Sequence, residues 1–263
     1  MKSVTQRIQE VKQPYGGYLN PKEFKKIELH DGRTLAPTEN IHPSTAGLVV
    51  DYMTRYMSVR DVEDAFNVSI KGAAAKDLLL GENKAVKDVY GILKNISGID
   101  NTSLQNACRA VGYDVWFRSP TALEKYGDGP KKEVIPPDDD TLNNLRTMIK
   151  RSLKFFEKFG PVVKDCFTFE PNGYTKTVDS GDGDFLTKDT LWDFKVSKSD
   201  PTNKHTLQLL MYYIMGKHSG NPIYKNIRKI GVFNPRLNTV YIYDMKRFPY
   251  HLYKDIESKV IGY

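Results

Sequence analysis

Apolar residues are sparse over the first forty positions and are interrupted by Pro14, Gly16, Gly17, Pro21, Gly32, Pro37 and Pro43. That pattern reads as an arm or a small hairpin, not a packed unit. From Ser44 the spacing changes. Leu48, Val49, Tyr52, Met53 and Tyr56 recur at intervals of three and four, the period of one helix face. Ser58 and Asp61 are placed to cap a second helix through Val62, Ala65 and Phe66. Ala73 to Leu80, Lys84 to Ile96 and Ser103 to Val111 repeat the helical spacing, with Gly81, Ser97 with Gly98, and Gly112 as stops. Tyr113 to Phe117 alternates and predicts a short strand. Residues 1–118 are therefore expected to form a mainly helical N-terminal region, and the proline, glycine and mixed charge of 119–138 mark a linker.

The second half follows a different pattern. Asp138 to Asp140 precede an apolar face of Leu142, Leu145, Met148, Ile149, Leu153 and Phe156. The acidic run reads as a helix N-terminus, where carboxylates oppose the positive end of the helix dipole. After Gly160, strands are expected over Val162–Glu170, Tyr174–Val178, Asp184–Thr187 and Leu191–Ser197. A helix over His205–Lys217, a hairpin around Asn234–Asn238 and a last helix near Tyr250–Val260 complete the order. Residues 139–263 are thus expected to be α/β, a mixed sheet flanked by helices.

Composition narrows the classes of function. The N-terminus is polar, and no stretch approaches the roughly 20 apolar residues of a membrane span, so a cytoplasmic protein with no membrane partner is expected. Cys108 and Cys166 lie far apart and His30, His42, His205, His218 and His251 are scattered, which argues against a disulfide framework or a zinc centre. The net charge of +7 has a location: 12 Lys and Arg against 5 Asp and Glu after residue 190, with the preceding residues balanced. A polyanion is the natural partner for such a stretch.

Candidate chemistry sits in the same part of the chain. Leu191 to Ser197 alternates, so Asp193, Lys195 and Ser197 share one strand face while Trp192, Phe194 and Val196 share the other. Upstream, the turn Gly181 to Asp184 opens the preceding strand. A hairpin through Thr187 to Thr190 would bring the Asp184 and Asp193 carboxylates together. Two such carboxylates repel unless a divalent cation lies between them, and hard oxygen ligands favour Mg²⁺ or Mn²⁺. On the next helix Gln208 and Tyr212 are four apart and share a face. The plain alternative is a surface ion pair of little energetic worth beside a soluble turn.

Gly181 to Asp184, Asp193 to Lys195 and Gln208 to Tyr212 stand in the order and spacing of three motifs, Gly-x-x-Asp, Asp-x-Lys and Gln-x-x-x-Tyr. In this the chain resembles the PD-(D/E)XK nuclease superfamily, specifically its RecB-like exonuclease branch, over roughly residues 140–245. The resemblance implies a restriction-endonuclease-like core and a Mg²⁺- or Mn²⁺-dependent deoxyribonuclease. It further implies that Asp184 and Asp193 hold the metal, that the main-chain carbonyl of Phe194 adds a ligand, and that Lys195 assists the attacking water. Gln208 and Tyr212 would then line the site. DNA is the expected substrate, with RNA left open. A further helix acid common in the family has one candidate, Glu157, which reads better as an exposed helix residue; two cysteines cannot hold an iron-sulfur cluster. Two rivals remain: a nuclease fold without chemistry that binds nucleic acid or assembles, and an interaction protein whose helical first half takes a protein partner.

Overall fold

The computed structural model describes residues 2–119, 121, 124 and 135–263. In chain order it has helix α1 (Val4–Glu10), strand β1 (Lys25–Glu28) and helices α2 (Pro43–Val59), α3 (Val62–Ala65), α4 (Asn67–Leu80), α5 (Ala85–Leu93), α6 (Asn101–Ala110), α7 (Asp114–Arg118) and α8 (Asp139–Phe159). Strands β2 (Lys164–Phe167), β3 (Gly183–Leu186) and β4 (Thr190–Phe194) follow, then α9 (Asn203–His218), β5 (Lys229–Asn234), β6 (Thr239–Asp244) and α10 (Tyr250–Asp255). The chain forms two compact units, residues 1–30 with 155–263, and residues 31–154.

The first unit is built on a six-stranded sheet in the order β1-β6-β5-β4-β3-β2. Its neighbours are antiparallel except β4 and β5, which run parallel. The alternation of β4 sends Leu191 to one face, where it packs with Leu207, Leu210, Met211 and Ile214 of α9. Trp192 and Phe194 go to the other face with Phe155, Phe185 and Phe233. There Phe155 stacks on Phe233 at 4.3 Å and meets Trp192 edge-on at 4.9 Å. Each such fully buried ring removes enough apolar area to contribute roughly 1.5–3 kcal/mol. The result is a mixed sheet flanked by helices, as expected for this part of the chain.

Two expectations for this unit are corrected. The opening residues are not a loose arm: Val4, Ile8, Leu19 and Phe24 are buried in the α9-side core, and β1 pairs with β6 from Lys25 opposite Ile242 to Glu28 opposite Thr239. Lys-Lys-Ile-Glu carries almost no apolar signal because it is an edge strand, where charge discourages further pairing. Tyr174–Val178 is not a strand. The Thr175 hydroxyl accepts the amides of Thr177 and Val178 at 3.1 and 3.0 Å, and the Thr175 amide bonds the Val178 carbonyl, so the local side chain outcompetes a ladder.

The second unit holds α2 to α7 and α8 as far as Lys154. Tyr113–Phe117, expected as a strand, is helical, with α7 beginning at Asp114. A five-residue apolar run is ambiguous by periodicity alone. Tertiary bonds decide it: the buried Asp114 carboxylate accepts the Tyr52 hydroxyl at 2.5 Å and the Ser69 hydroxyl at 2.6 Å. The boundaries also differ from a division at 118 and 139, because residues 1–30 belong with the sheet and α8 passes from one unit to the other. Of the linker expected over 119–138, residues 120, 122, 123 and 125–134 lie outside the described residues. Asp138 opens α8 as expected, its carboxylate accepting the Thr141 amide at 2.8 Å. Among the described residues no helix is long and apolar enough to cross a membrane, and Cys108 and Cys166 are not joined in a disulfide.

Candidate active site

The site is assembled by the β3–β4 hairpin and the helix that follows it. Thr187 donates its amide to the Thr190 carbonyl at 3.0 Å, and Phe185 and Leu186 face Trp192 and Leu191. Continuing that register one step sets Asp184 across from Asp193. The Asp184 carboxylate accepts the Phe194 amide at 2.5 Å, which ties the start of β3 to the end of β4. Two glycines make this possible. Gly181 has φ +144°, and a side chain on Gly183 would lie 2.0 Å from the Phe167 ring. The first position needs a conformation that L side chains rarely adopt and the second needs close approach.

Asp193 is only 2% exposed, on the α9 side of a central strand. The Lys195 ammonium donates to its Oδ1 at 2.9 Å. Oδ2 is also 2.9 Å from that ammonium, but off any hydrogen-bonding direction, so it is a buried oxygen without a donor. Burial pushes the Asp193 carboxyl above its usual range, opposed by the charge and hydrogen bond of Lys195. A buried carboxylate with an unsatisfied oxygen costs stability where it stands. Such groups concentrate at functional sites. Lys195 keeps 27% of its side chain exposed, and its amide donates to the Phe233 carbonyl at 3.0 Å, extending the parallel β4–β5 pairing to the point where the two side chains emerge.

Helix α9 closes the other side. Gln208 Nε2 donates to the Tyr212 hydroxyl at 2.9 Å. Tyr212 is 4% exposed, and its phenol is held well above its usual range, first by burial and then by the nearby charges of Asp193, Asp184 and Asp182. The phenol thus lies in the field of the carboxylates. His205, three residues before Gln208, shares this helix face. Burial, with a smaller push from the Lys195 cation, lowers its pKa to about 4. Its Nδ1 accepts the Thr202 amide at 3.2 Å and so closes the first turn of α9.

Asp184, Asp193, Lys195, Gln208 and Tyr212 are thereby joined by hydrogen bonds or mutual electrostatics around one sheet end. Phe194 takes part through its amide, while its ring packs among the aromatics of the opposite face. Glu157 is exposed, and among the described residues no group of three or more His, Cys, Asp or Glu is arranged to hold a metal. Sequence reasoning passed over Asp182 as a turn residue and His205 as an isolated histidine. The signal for His205 was its spacing of three and seven from Gln208 and Tyr212. Comparison with protein-family models, with curated proteins and with solved structures gives no match. The functional reading therefore rests on this geometry and on the motif spacing.

The donor set fits a hard divalent cation. It offers one buried carboxylate oxygen on Asp193 that accepts no hydrogen bond and a second carboxylate opposite. Two carboxylates do not make a closed cage, but Mg²⁺ is commonly held by one or two carboxylates plus waters and substrate phosphate.

Proposed function

We propose that this chain is a Mg²⁺- or Mn²⁺-dependent nuclease with a restriction-endonuclease-like core that hydrolyses phosphodiester bonds of DNA. The observation that carries the reading is the buried Asp193 with its unsatisfied Oδ2 beside Lys195, on the strand facing Asp184. Asp184, Asp193 Oδ2 and the Phe194 carbonyl would hold the metal. When bound, it would supply charge neutralisation at the scissile phosphate and a more acidic water.

The remaining work falls to the protein's own groups. The Lys195 ammonium, anchored on Asp193 Oδ1, orients the attacking water and offsets the charge that builds on the phosphate oxygens. Tyr212 stays a neutral phenol because burial and three carboxylates oppose its ionisation. Since it accepts from Gln208, it keeps its own O–H proton to donate to a phosphate oxygen. The charge distribution supports a nucleic-acid substrate: the sheet-bearing unit has 22 Lys and Arg against 15 Asp and Glu, so the whole +7 lies on it.

The test is single-turnover cleavage of linear, circular and single-stranded DNA with and without Mn²⁺, beside Lys195→Ala, Asp184→Ala and Asp193→Ala. Lys195→Ala is expected to lose cleavage by about 10²-fold or more and keep Mn²⁺ affinity, whereas either Asp variant loses both. Wild-type cleavage in excess EDTA, or by the Lys195 variant, defeats the mechanism. A second reading, nucleic-acid binding without chemistry, is favoured by one observation: Asp184 is engaged with the Phe194 amide and no third carboxylate joins the pair among the described residues. Mn²⁺ calorimetry separates the two, because only the enzyme needs the ion.

A further inference from the structure

A cavity of about 790 Å³ opens in the sheet-bearing unit where the chain enters α9. Pro21, Phe24, Pro201 and Tyr241 line it, the two rings largely buried and Lys26 lying over that of Tyr241, and Lys22, Lys26 and Lys204 are exposed beside them. Thr202, the N-cap of α9, and Asn203, its first residue, close one end, and the first turn of that helix carries no acidic side chain to neutralise its positive pole. The one carboxylate in the lining, Asp200, is already bound by the Tyr241 hydroxyl at 2.6 Å and approached by Lys26 at 3.5 Å. A smaller hollow of about 310 Å³ along β1 shares Lys26 and Asp200 and adds Lys198 and Glu28, the latter 3.5 Å from the Lys26 ammonium, so the positive charge is concentrated on the larger cavity. The loop 196–201 leads from Lys195 to the cavity wall.

Size, lining and charge choose the occupant. The volume lies within the roughly 300–1,000 Å³ of sites that enclose small ligands, so a flat aromatic group can be seated on the walls while anionic groups meet the lysines and the helix pole. A base within a duplex cannot reach such walls without leaving its stack, whereas a single strand offers bases and phosphates together. We infer that the cavity bounded by Phe24, Tyr241, Lys22, Lys26 and Lys204 is a subsite for an unpaired nucleotide of the nucleic-acid strand led to Lys195. What happens to that strand rests on the nuclease reading; its capture rests on the cavity alone.

The experiment is fluorescence anisotropy of the full chain in EDTA, with a labelled single-stranded oligonucleotide and with the blunt duplex of the same length. The single strand is expected to bind about tenfold tighter. The double variant Lys22→Ala with Lys204→Ala is expected to bind the single strand about tenfold more weakly and to lower the slope of log affinity on log salt by about 2. Lys158→Ala, an exposed lysine on α8, serves as control and leaves both unchanged. Equal affinity for the two DNAs, or an unchanged slope in the double variant, overturns the subsite. Cleavage in Mn²⁺ that persists beside such a result leaves the nuclease standing without it. Selective capture by a chain that cleaves nothing sinks the nuclease reading and keeps the subsite.

Discussion

His205 shows how much one neutral side chain holds in place. Its Nδ1 must stay unprotonated to accept the Thr202 amide, and burial together with Lys195 keeps its pKa at about 4. An unfolded chain takes up that proton near pH 6.5. Between pH 6.5 and 4 the unfolded state therefore binds more protons than the folded one, and stability falls as the pH falls through that window. Allowing for its partial exposure, the loss is on the order of 1–2 kcal/mol. His205→Gln keeps an acceptor for the Thr202 amide and removes the titration, so its melting temperature should change less than the wild type's between pH 7 and 5. Parallel melting curves for the two proteins would refute this account. Gly181 and Gly183 act at the same scale: a positive φ and a ring-filled space let Asp184 reach the Phe194 amide.

At the scale of elements, helix starts in the second unit depend on single carboxylates. Asp77, near the end of α4, accepts the amides of Lys84, Ala85 and Val86 at 3.0, 2.9 and 3.0 Å and so satisfies the otherwise orphaned donors that open α5. These backbone bonds outweigh the opposing effect of its own desolvation and hold its carboxyl below the usual range. Asp77→Ala should destabilise by roughly 1–2 kcal/mol, the size of a lost N-cap, while Asp77→Asn recovers part of it. Urea unfolding followed by circular dichroism measures both, and equal midpoints for Ala and wild type would count against the role. In the sheet-bearing unit β4 is the decisive element. Its two-residue period sends Trp192 and Phe194 into the aromatic core on one face, and on the other sets Asp193 and Lys195 beyond the buried Leu191, toward α9.

At the scale of the molecule, residues 1–30 complete the unit that carries the site. They add the edge strand β1, four buried apolar side chains and two of the cavity lysines. Deleting them should uncover β6 as a bare edge and expose apolar surface of the α9-side core. The shortened chain is expected to aggregate or melt well below the full one. A melting temperature within a degree or two of the parent would show that the sheet closes without them.

Much of this architecture could be read before any coordinates. Alternation in Leu191–Ser197, the helical period of α9 and the hairpin turn at Thr187–Thr190 are local patterns; they set Asp184 beside Asp193 and Lys195, and Gln208 beside Tyr212, while the motif resemblance joined the two groups. Short-range geometry decides such features, because strand and helix periods settle which side chains share a face. What only the tertiary structure decided depends on partners distant in sequence. Lys25–Glu28 is a strand because β6 offers its edge, Asp114 begins a helix because Tyr52 and Ser69 donate to its carboxylate, and His205 stays neutral because packing buries it and, to a lesser degree, because Lys195 lies near it. Asp193 Oδ2 accepts no hydrogen bond because packing buries it while the Lys195 ammonium beside it donates to Oδ1. None of those conditions is a property of neighbouring residues, so no period or motif could announce them.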